Sequence, residues 1–333
     1  MSIKLFPAGT FKEHKKEYQE YVNDYFPNAS FCQRTKLFSD IVYCYFRYGC
    51  WFNNYFEYRF WEKSGQKRNT FLTWKRARRF INQVNGEKHC PKFRKKNLFL
   101  LKFSEYIHRE WLFLPDASYE EFLAFTEKHS LVMEKNNEGM FGIGVSKKQS
   151  SDISNREYYD YGVQNRILLE ECISECEQLQ NVHPSSLNTI RVMTLVNSSG
   201  MDVKVIGAVF RMGNNGASVD NARADGLFAE IDIDTGIVKT EGIDFQNHHH
   251  VCHPFTNQKI IGIEIPIWNQ VISTCKQAAL KIPKVRLIGW DVVVREGENG
   301  FFAELIEGND RPGVPTIQVP SQNGIYFEVK KHD

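Results

Sequence analysis

Three side chains near the carboxyl terminus have the types and spacing needed to hold a hard metal ion. Asp291 lies in a stretch rich in branched residues at 285–295, Glu307 ends the apolar stretch 301–307, and Asn309 follows two residues later. An Asn-Gly pair in the short link between the stretches predicts a β-hairpin. Strand pairing would bring Asp291 beside Glu307, and the two-residue period of a strand would place Glu307 and Asn309 on one face.

Two carboxylates and an amide oxygen are ligands of the kind that Mg²⁺ takes when substrate phosphates complete its octahedron. An ordinary solvated strand face would show the same spacing. The hairpin pattern therefore leaves both interpretations open, and the residues upstream favour the metal site.

A lysine followed by a glycine-bearing turn is a candidate phosphate site. Lys135 ends the strand-like stretch 131–135, and Gly139, Gly142 and Gly144 follow it. Glycines let backbone N–H groups approach phosphate oxygens, and lysine adds a positive charge. The segment is not a Walker A loop, because the Gly-Lys-Ser/Thr ending is absent and a strand is predicted to follow. An ordinary hairpin is the alternative.

Other charged residues lie in or beside apolar stretches. Lys102 is either a second phosphate ligand or a surface lysine with a buried stem. Glu170 and Glu171 end a predicted strand that could offer backbone groups to adenine and a carboxylate to ribose, or could be exposed acids on an edge strand. Arg191 and Arg211 lie in two further predicted strands, where a guanidinium can clamp phosphate or carboxylate.

Two polar loops complete the set of candidates. The loop at 218–226 contains Asp220 and Asn221 and is either a turn or a substrate-binding loop. The histidines at 248–250 and His253 form the densest group of metal-capable side chains, but their spacing fits no zinc site. We expect that segment to flank an acceptor pocket, with a structural turn at His253-Pro254.

The elements that must position these residues divide the chain into a helical first part and a strand-rich remainder. Helices are predicted at 10–25, 66–84, 118–128 and 267–280, with an aromatic helical segment at 34–61 that we expect to be packed core. Strands are predicted at 131–134, 141–146, 167–173, 189–196, 203–211 and 227–233, before the final hairpin. This irregular alternation predicts an α+β or mixed α/β enzyme with antiparallel sheets.

Composition limits the class of protein. The 333 residues are 42% hydrophobic, which is enough for two or three domains or lobes. No apolar run is long enough to span a bilayer, and residues 1–17 lack the apolar stretch of a signal peptide. Eight scattered cysteines without a Cys-x-x-Cys pair predict reduced thiols. We therefore expect a cytoplasmic protein.

The charge is unevenly distributed along the chain. From Arg59 to Arg109 there are 15 Lys or Arg against three acids, although the net charge of the whole chain is only +2. The basic side chains of the predicted helix at 66–84 could meet nucleic acid, an anionic membrane leaflet or a phosphorylated substrate, or could be a solvated helix face.

The order of these pieces resembles the ATP-grasp fold, and most closely its sugar-transfer-associated branch, found in bacterial polysaccharide loci. The similarity spans roughly residues 95–320, and the aromatic helices at 34–85 also resemble the amino-terminal region of that branch. The matching words are His183-Pro184-Ser185-Ser186-Leu187-Asn188-Thr189-Ile190-Arg191-Val192, Val219-Asp220-Asn221, His253-Pro254, Ile265-Pro266-Ile267-Trp268, Gly289-Trp290-Asp291-Val292 and Ile306-Glu307-Gly308-Asn309.

The resemblance implies two α+β lobes that clasp ATP beside a helical amino-terminal region. The implied domains are a helical region at 1–95, an N-lobe with a glycine-rich lid at 96–175 and a C-lobe with the metal site at 176–333. Lys102 and Lys135 would hold the α- and β-phosphates from two neighbouring strands. The lid would contain Gly139, Gly142 and Gly144.

The resemblance also assigns the remaining candidates. The hinge strand with Glu170, Glu171 and Ile173 would read adenine and ribose. The residues that would hold one or two Mg²⁺ ions are Asp291, Glu307 and Asn309. Arg191 and Arg211 would face the transferred phosphoryl group or the acceptor carboxylate, and Asp220 and Asn221 would contact substrate.

The function implied is an ATP- and Mg²⁺-dependent carboxylate–amine ligase that works through an acylphosphate. Its substrate would be a sugar acid or amino acid destined for a bacterial surface polysaccharide. A phosphotransferase on the same scaffold is the first alternative. A polyanion- or membrane-binding protein built around the basic helix is the second, but it leaves the acidic hairpin unexplained. We expect no nucleic-acid partner, while the basic helix could dock the enzyme on an anionic membrane.

Overall fold

The computed structural model describes residues 10–138, 144–214, 226–244 and 246–333. The chain divides into two compact units, Met1–Phe80 with Gln322–Phe327, and Ile81–Ser321 with Glu328–Asp333. No described helix is long and apolar enough to cross a membrane. The lobe boundaries implied at residues 95 and 175 stay predictions.

The first unit is helical, as expected. Its helices are α1 (Phe11–Tyr25), α2 (Phe31–Tyr48), α3 (Phe52–Glu57), α4 (Gly65–Asn69) and the greater part of α5 (Trp74–Val84). Thr10 and Ser30 begin α1 and α2 with capping boxes. The aromatic segment is packed core, since Tyr55, Tyr58 and Phe60 are fully buried.

The aromatic segment is not one helix, because Gly49 ends α2. Gly49 has φ 66°, and a Cβ there would lie 2.7 Å from Cβ of Lys75, so only glycine fits this turn. The predicted helix at 66–84 is likewise divided into α4 and α5.

The basic face expected on α5 is largely engaged inside the first unit. Lys75 Nζ lies 3.4 Å from the ring centroid of Tyr45, and the Arg76 guanidinium lies 4.2 Å from that of Tyr326. These cation–π contacts cover charges that the helical pattern had placed in solvent.

The second unit contains two antiparallel sheets with helices packed against them. Its helices after α5 are α6 (Pro91–Arg94), α7 (Lys96–Lys102), α8 (Tyr119–Lys128), α9 (Ser150–Ile153), α10 (Arg156–Gln164), α11 (Glu177–Gln180), α12 (Trp268–Leu280) and α13 (Pro315–Gln318), and α14 (Tyr326–His332) ends the chain. Its strands are β1 (Trp111–Phe113), β2 (Leu131–Asn136), β3 (Val145–Gln149), β4 (Ile167–Glu171), β5 (Thr189–Val196), β6 (Val203–Met212), β7 (Leu227–Glu230), β8 (Gly242–Ile243), β9 (His249–His250), β10 (Leu287–Gly297) and β11 (Gly300–Asn309).

The smaller sheet has the order β1-β4-β2-β3 among the described residues. Its apolar face packs on α8, which begins with the predicted Ser118–Glu121 capping box. Phe122, Val132 and Leu169 are buried in the core between them. The opposite face of this sheet carries Lys135 of β2 and Glu170 of β4, whose partners across the two strands are Leu168 and Met133.

The larger sheet has the order β11-β10-β5-β6-β7-β8-β9 among the described residues. One face packs through Trp290 onto Phe93 and Phe103, with ring centroids 5.9 and 5.4 Å apart. Gly308 of β11 pairs with Trp290, and a Cβ on Gly308 would lie 2.9 Å from the Phe93 ring. The glycine therefore lets α6 approach the sheet closely. The strands of both sheets pair antiparallel, as predicted for an α+β fold.

Candidate active site

The predicted terminal hairpin is present and aligns the proposed metal ligands. Asp291 of β10 pairs with Glu307 of β11, and Gly289 pairs with Asn309. The register shifts after Asp291, so that Val292 pairs with Leu305 and Ile306 is an extra residue in β11. Such a β-bulge bends the strand and re-aims its side chains, and bulges are common beside active sites.

Two arginines from neighbouring strands converge on Asp291. Arg191, which pairs with Asp291 across β5 and β10, donates from Nε to Oδ1 and from Nη2 to Oδ2, the latter at 2.7 Å. Arg211 of β6 donates from Nη1 to Oδ2 at 3.0 Å. Burial raises the pKa of Asp291, but the two guanidinium groups outweigh that effect and lower it to about 2. Asp291 is therefore an ionised, fully paired carboxylate.

Glu307 is in the opposite electrostatic situation. Burial raises its pKa, and the neighbouring charge of Asp291 raises it further. Asn309 donates from Nδ2 to Oε1 of Glu307 at 3.1 Å. Arg191 lowers the pKa of Glu307 only in part, because its guanidinium is bonded to Asp291, so the ionised form of Glu307 is less well balanced than that of Asp291.

The donor set fits a magnesium ion that takes further ligands from phosphate or water. Among the described residues, no group of three or more His, Cys, Asp or Glu is arranged to hold a metal alone. Glu307 and Asn309 are the more accessible pair of ligands. Both oxygens of Asp291 already accept hydrogen bonds from arginine, so Asp291 would have to share an oxygen lone pair with the ion.

Two adjoining cavities connect this face of the hairpin with the smaller sheet. A cavity of about 480 Å³ runs along the hinge residues Glu171 and Ile173, and one of about 60 Å³ reaches Glu307 and Asn309. Lys135 lines both cavities. The large cavity has room for a nucleoside, and the small one lies where phosphates would meet a metal.

The end of the hinge strand offers backbone groups to the large cavity. Within the described chain, Cys172 and Ile173 form no backbone–backbone hydrogen bonds, whereas Glu171 donates to the carbonyl of Glu110 at 2.9 Å. Free amide and carbonyl groups at a cavity wall can read the edge of an adenine ring. Glu171 and Ile173 thus line the large cavity, and their role as the hinge stays a prediction.

Glu170 lines both cavities, but its carboxylate is paired with two cations and so is not an available ribose ligand. It is 2% exposed and accepts from Lys135 Nζ at 2.8 Å and from Arg109 Nε. Burial raises its pKa, but these two cations lower it to about 2. The sequence placed Glu170 correctly at the end of the strand but could not reveal these partners.

The prediction that Lys102 binds phosphate from a strand is wrong in its placement. Lys102 is an exposed residue at the end of α7, because the apolar residues before it form a helix. Lys96, at the start of the same helix, lines the small cavity instead. Its Nζ donates to the carbonyl of Asn136 at 2.9 Å, and burial lowers its pKa.

Lys96 is held next to Lys135 by hydrogen bonds between α7 and the end of β2. The backbone N–H of Lys96 donates to the carbonyl of Asn137 at 3.0 Å, and that of Asn97 to Oδ1 of Asn137 at 2.9 Å. Lys96 belongs to a basic run in the sequence, so nothing local distinguished it from its solvated neighbours.

Several predicted residues lie at the edge of the described structure or outside it. Gly144, the last residue of the predicted lid, has φ 74°, and its carbonyl accepts from the N–H of Asn136 at 3.0 Å. Gly139 and Gly142 lie outside the described residues, and so do the substrate candidates Asp220 and Asn221. Their roles stay predictions.

A family model described as sugar-transfer associated ATP-grasp matches residues 75–333. The chain belongs to this family. The match covers both sheets and the two adjoining cavities, and it confirms the ATP-grasp fold expected from the order of the motifs. No curated protein matches the chain significantly.

Solved structures that resemble the chain include other ATP-grasp proteins. The ligase PsnB, complexed with a phosphomimetic variant of its minimal precursor, Mg and ADP, has a TM-score of 0.46 at 13% identity over 77% of this chain and 64% of its own. D-alanyl-alanine synthetase A from Vibrio cholerae has a TM-score of 0.44 at 12% identity, over 74% of this chain and 67% of its own. D-cycloserine synthetase DcsG has a TM-score of 0.44 at 12% identity, over 78% of this chain and 80% of its own. The chain thus spans less than two thirds of the length of PsnB.

Two of the words that resembled the ATP-grasp branch meet in one buried cluster. The rings of His183 and His253 lie 5.3 Å apart, and both are fully buried. His253 Nε2 lies 2.8 Å from the carbonyl of Gly213, and His183 Nδ1 lies 2.8 Å from Oγ of Ser186. Burial lowers the pKa of both histidines, so this cluster is a neutral packing element at the end of β6.

The histidine-rich hairpin is a separate feature of this ATP-grasp protein. His248 and His250 both contact Oδ2 of Asp244, at 3.1 and 3.0 Å, and His249 contacts Glu241. Each of these three histidines thus uses one ring nitrogen on a neighbouring carboxylate. The turn predicted at His253-Pro254 is present, with the N–H of Asn257 donating to the His253 carbonyl at 2.8 Å.

Proposed function

We propose that this protein is an ATP- and Mg²⁺-dependent carboxylate–amine ligase. The observation that supports this most strongly is the meeting of Glu307 and Asn309 with Lys96 and Lys135 in one small cavity that opens beside the hinge. Hard oxygen ligands and two lysines at the same place are what a metal-bound polyphosphate requires.

In this proposal the adenine lies along Glu171 and Ile173, and the α- and β-phosphates lie against Lys135 and Lys96. Lys96 takes the role that the sequence had given to Lys102. Glu307, Asn309 and Asp291 hold one or two Mg²⁺ ions, which would neutralise phosphate charge when bound. Burial keeps water away from these charges, which strengthens each interaction.

Arg191 and Arg211 are proposed to orient the reacting groups. Among the described residues, no hydrogen bond is made by Nη1 of Arg191, so that nitrogen can donate to a phosphoryl or carboxylate oxygen while Nε and Nη2 hold Asp291. In the reaction, a substrate carboxylate oxygen bonds to the γ-phosphorus of ATP, and the bond between that phosphorus and the bridging oxygen breaks, which releases ADP. An amine then bonds to the acyl carbon, and phosphate leaves with formation of an amide.

The proposed carboxylate is a sugar acid or an amino acid used in bacterial surface polysaccharide synthesis. The description of the family as sugar-transfer associated supports this choice. Asp220 and Asn221 are proposed to contact that substrate. A phosphotransferase that passes phosphate to a hydroxyl would use the same nucleotide residues, so the product decides between the two activities.

The test is phosphate release with purified protein, ATP and Mg²⁺ across a matrix of sugar acids, amino acids and amines. A ligase releases inorganic phosphate, and mass spectrometry finds an amide, only when both acceptors are present. A phosphorylated product that forms without any amine would replace the ligase with the kinase. The variant Glu307→Gln serves as the inactive control.

We also propose a cytoplasmic enzyme that docks on an anionic membrane leaflet, with α2 rather than α5 as the contact. Phe31 and Phe46 of α2 are 85% and 79% exposed, and Phe38 is exposed on the same stripe. Exposed Lys36 and Arg47 flank that stripe and complement anionic headgroups.

Flotation with vesicles tests the membrane contact. The protein should float with phosphatidylserine vesicles and not with phosphatidylcholine vesicles, and Phe38→Ser with Phe46→Ser should abolish flotation. Equal binding to both vesicles, or a salt-insensitive dimer in ultracentrifugation that the same substitutions dissociate, would exclude this role of α2.

A further inference from the structure

Arg109 joins the hinge strand to the metal-facing hairpin inside the second unit. It is 4% exposed and lies just before β1, next to β4 in the smaller sheet. Its Nε donates to Glu170, and its Nη1 donates to Oε1 of Glu304 at 2.8 Å. A buried guanidinium with carboxylates from both sheets fixes the distance between them.

The same guanidinium completes the hydrogen bonding of the β-bulge. Nη1 donates to the carbonyl of Leu305 at 2.8 Å, and Nη2 donates to the carbonyl of Ile306 at 3.1 Å. Ile306 is the extra residue of the bulge and has no partner in β10. A half-buried carbonyl without a partner still loses its hydrogen bond to water, so Arg109 stabilises the bulge that sets the direction of Glu307.

Arg109 also affects the ion pair between Lys135 and Glu170, because it shares Glu170 with Lys135. Glu170 is buried and has two cationic partners, Arg109 and Lys135. When Lys135 turns to a phosphate, Glu170 keeps a counter-charge only because Arg109 remains. Without Arg109, the buried carboxylate would hold Lys135 away from the nucleotide.

We propose that Arg109 is a positioning residue that couples nucleotide binding to Mg²⁺ binding. It makes Lys135 available to phosphate and keeps Glu307 aimed at the metal. This inference rests on the proposed nucleotide and metal site. It requires that one substitution weaken two separable properties, the affinity for ADP alone and the increase of that affinity by Mg²⁺.

The test is calorimetric titration of ADP into the full chain, with and without Mg²⁺. For Arg109→Met we expect ADP to bind about 10-fold more weakly without Mg²⁺, and the Mg²⁺ enhancement to fall by about 5-fold or more. Arg109→Lys should restore the affinity for ADP alone, because an ammonium can pair with Glu170. It should not restore the enhancement, because one ammonium cannot also bind Glu304 and both carbonyls of the bulge.

Arg295→Met is the matched control. Arg295 donates from Nη1 to the other oxygen of Glu304 at 2.8 Å but contacts neither Glu170 nor the bulge carbonyls. Arg295→Met should keep the wild-type increase of ADP affinity by Mg²⁺. A loss of that increase as large as in Arg109→Met would overturn the inference. An unchanged enhancement in Arg109→Lys would also overturn it, and that variant decides the question if Arg109→Met fails to fold. Absence of Mg²⁺-enhanced ADP binding in the wild type would instead contradict the proposed function.

Discussion

Glu170 at the end of β4 and Glu307 on the hairpin of β10 and β11 line the same small cavity but differ in electrostatic environment. Arg109 and Lys135 outweigh burial at Glu170 and lower its pKa to about 2. Burial and the charge of Asp291 raise the pKa of Glu307. The charge of Glu170 is therefore balanced by cations of the chain itself, whereas the ionised form of Glu307 would be stabilised by an added cation.

The difference supports the proposal that Glu170 serves the fold and that Glu307 serves a ligand. Glu170 connects two cations and stabilises the junction of the sheets. If Glu307 binds a cation as proposed, its ionised form disfavours the metal-free fold, and the bound cation would offset that effect. Asp291 is intermediate, because Arg191 and Arg211 hold it ionised and in place beside Glu307.

Asp291→Asn should have the largest effect, because it affects both the ligand and the fold. Loss of one electrostatic stabiliser predicts a fall of about 10²- to 10³-fold in phosphate release. The substitution also leaves Arg191 and Arg211 without their carboxylate, so the free energy of unfolding should fall. Enzyme assays and urea denaturation measure the two effects. Near-normal activity would exclude Asp291 from the site.

Glu307→Gln should lower activity by a similar factor but have the opposite effect on stability. The folded pKa of Glu307 lies above its unfolded value, so ionisation destabilises the fold as the pH rises through that interval. The neutral amide removes this repulsion, and thermal denaturation in EDTA at pH 7 should show a higher midpoint than wild type. A lower midpoint would show that Glu307 is paired like Glu170.

Glu170→Gln should lower stability in a pH-dependent way. The folded pKa of Glu170 is about 2 and its usual value is 4.5, so its ion pairs stabilise the fold above about pH 4.5 by about 3 kcal/mol. That contribution is lost as the pH falls toward 2. Denaturation should therefore show a gap between wild type and variant that is full at pH 7 and shrinks on acidification. A constant gap would point to lost packing instead.

Lys96→Ala and Lys102→Ala separate the lysine proposed from the structure to bind phosphate from the one expected from the sequence. Removal of a charged hydrogen bond to phosphate should weaken ADP binding about 10-fold in Lys96→Ala. Lys102→Ala, at the exposed end of the same helix, should bind as wild type does. The reverse result in a titration would restore Lys102 to the site.

The sequence predicted the parts of the fold that depend on local pattern. Alternation and the Asn-Gly link placed Asp291 beside Glu307, and the Ser118 capping box placed α8. The order of motifs indicated the ATP-grasp family, which the family match confirms. These features depend on residues that are close together in the sequence or on a recognisable order of sequence motifs.

The remainder depends on contacts between distant segments. Arg109 and Glu304 are separated by 195 residues, so no local pattern links them. The bulge at Ile306 appears only in the register of two strands, and Lys96 was hidden in a basic run. Lys102 was misplaced because the apolar residues before it suit a strand as well as a helix.

The central claim is tested most directly by a crystal structure with a non-hydrolysable ATP analogue and Mn²⁺ in place of Mg²⁺. The anomalous signal should lie at coordination distance from Glu307 and Asn309, with the triphosphate against Lys96 and Lys135 and the base beside Ile173. A metal held elsewhere, for example at the Asp244 and His248 hairpin, or a nucleotide outside the two cavities, would contradict this account.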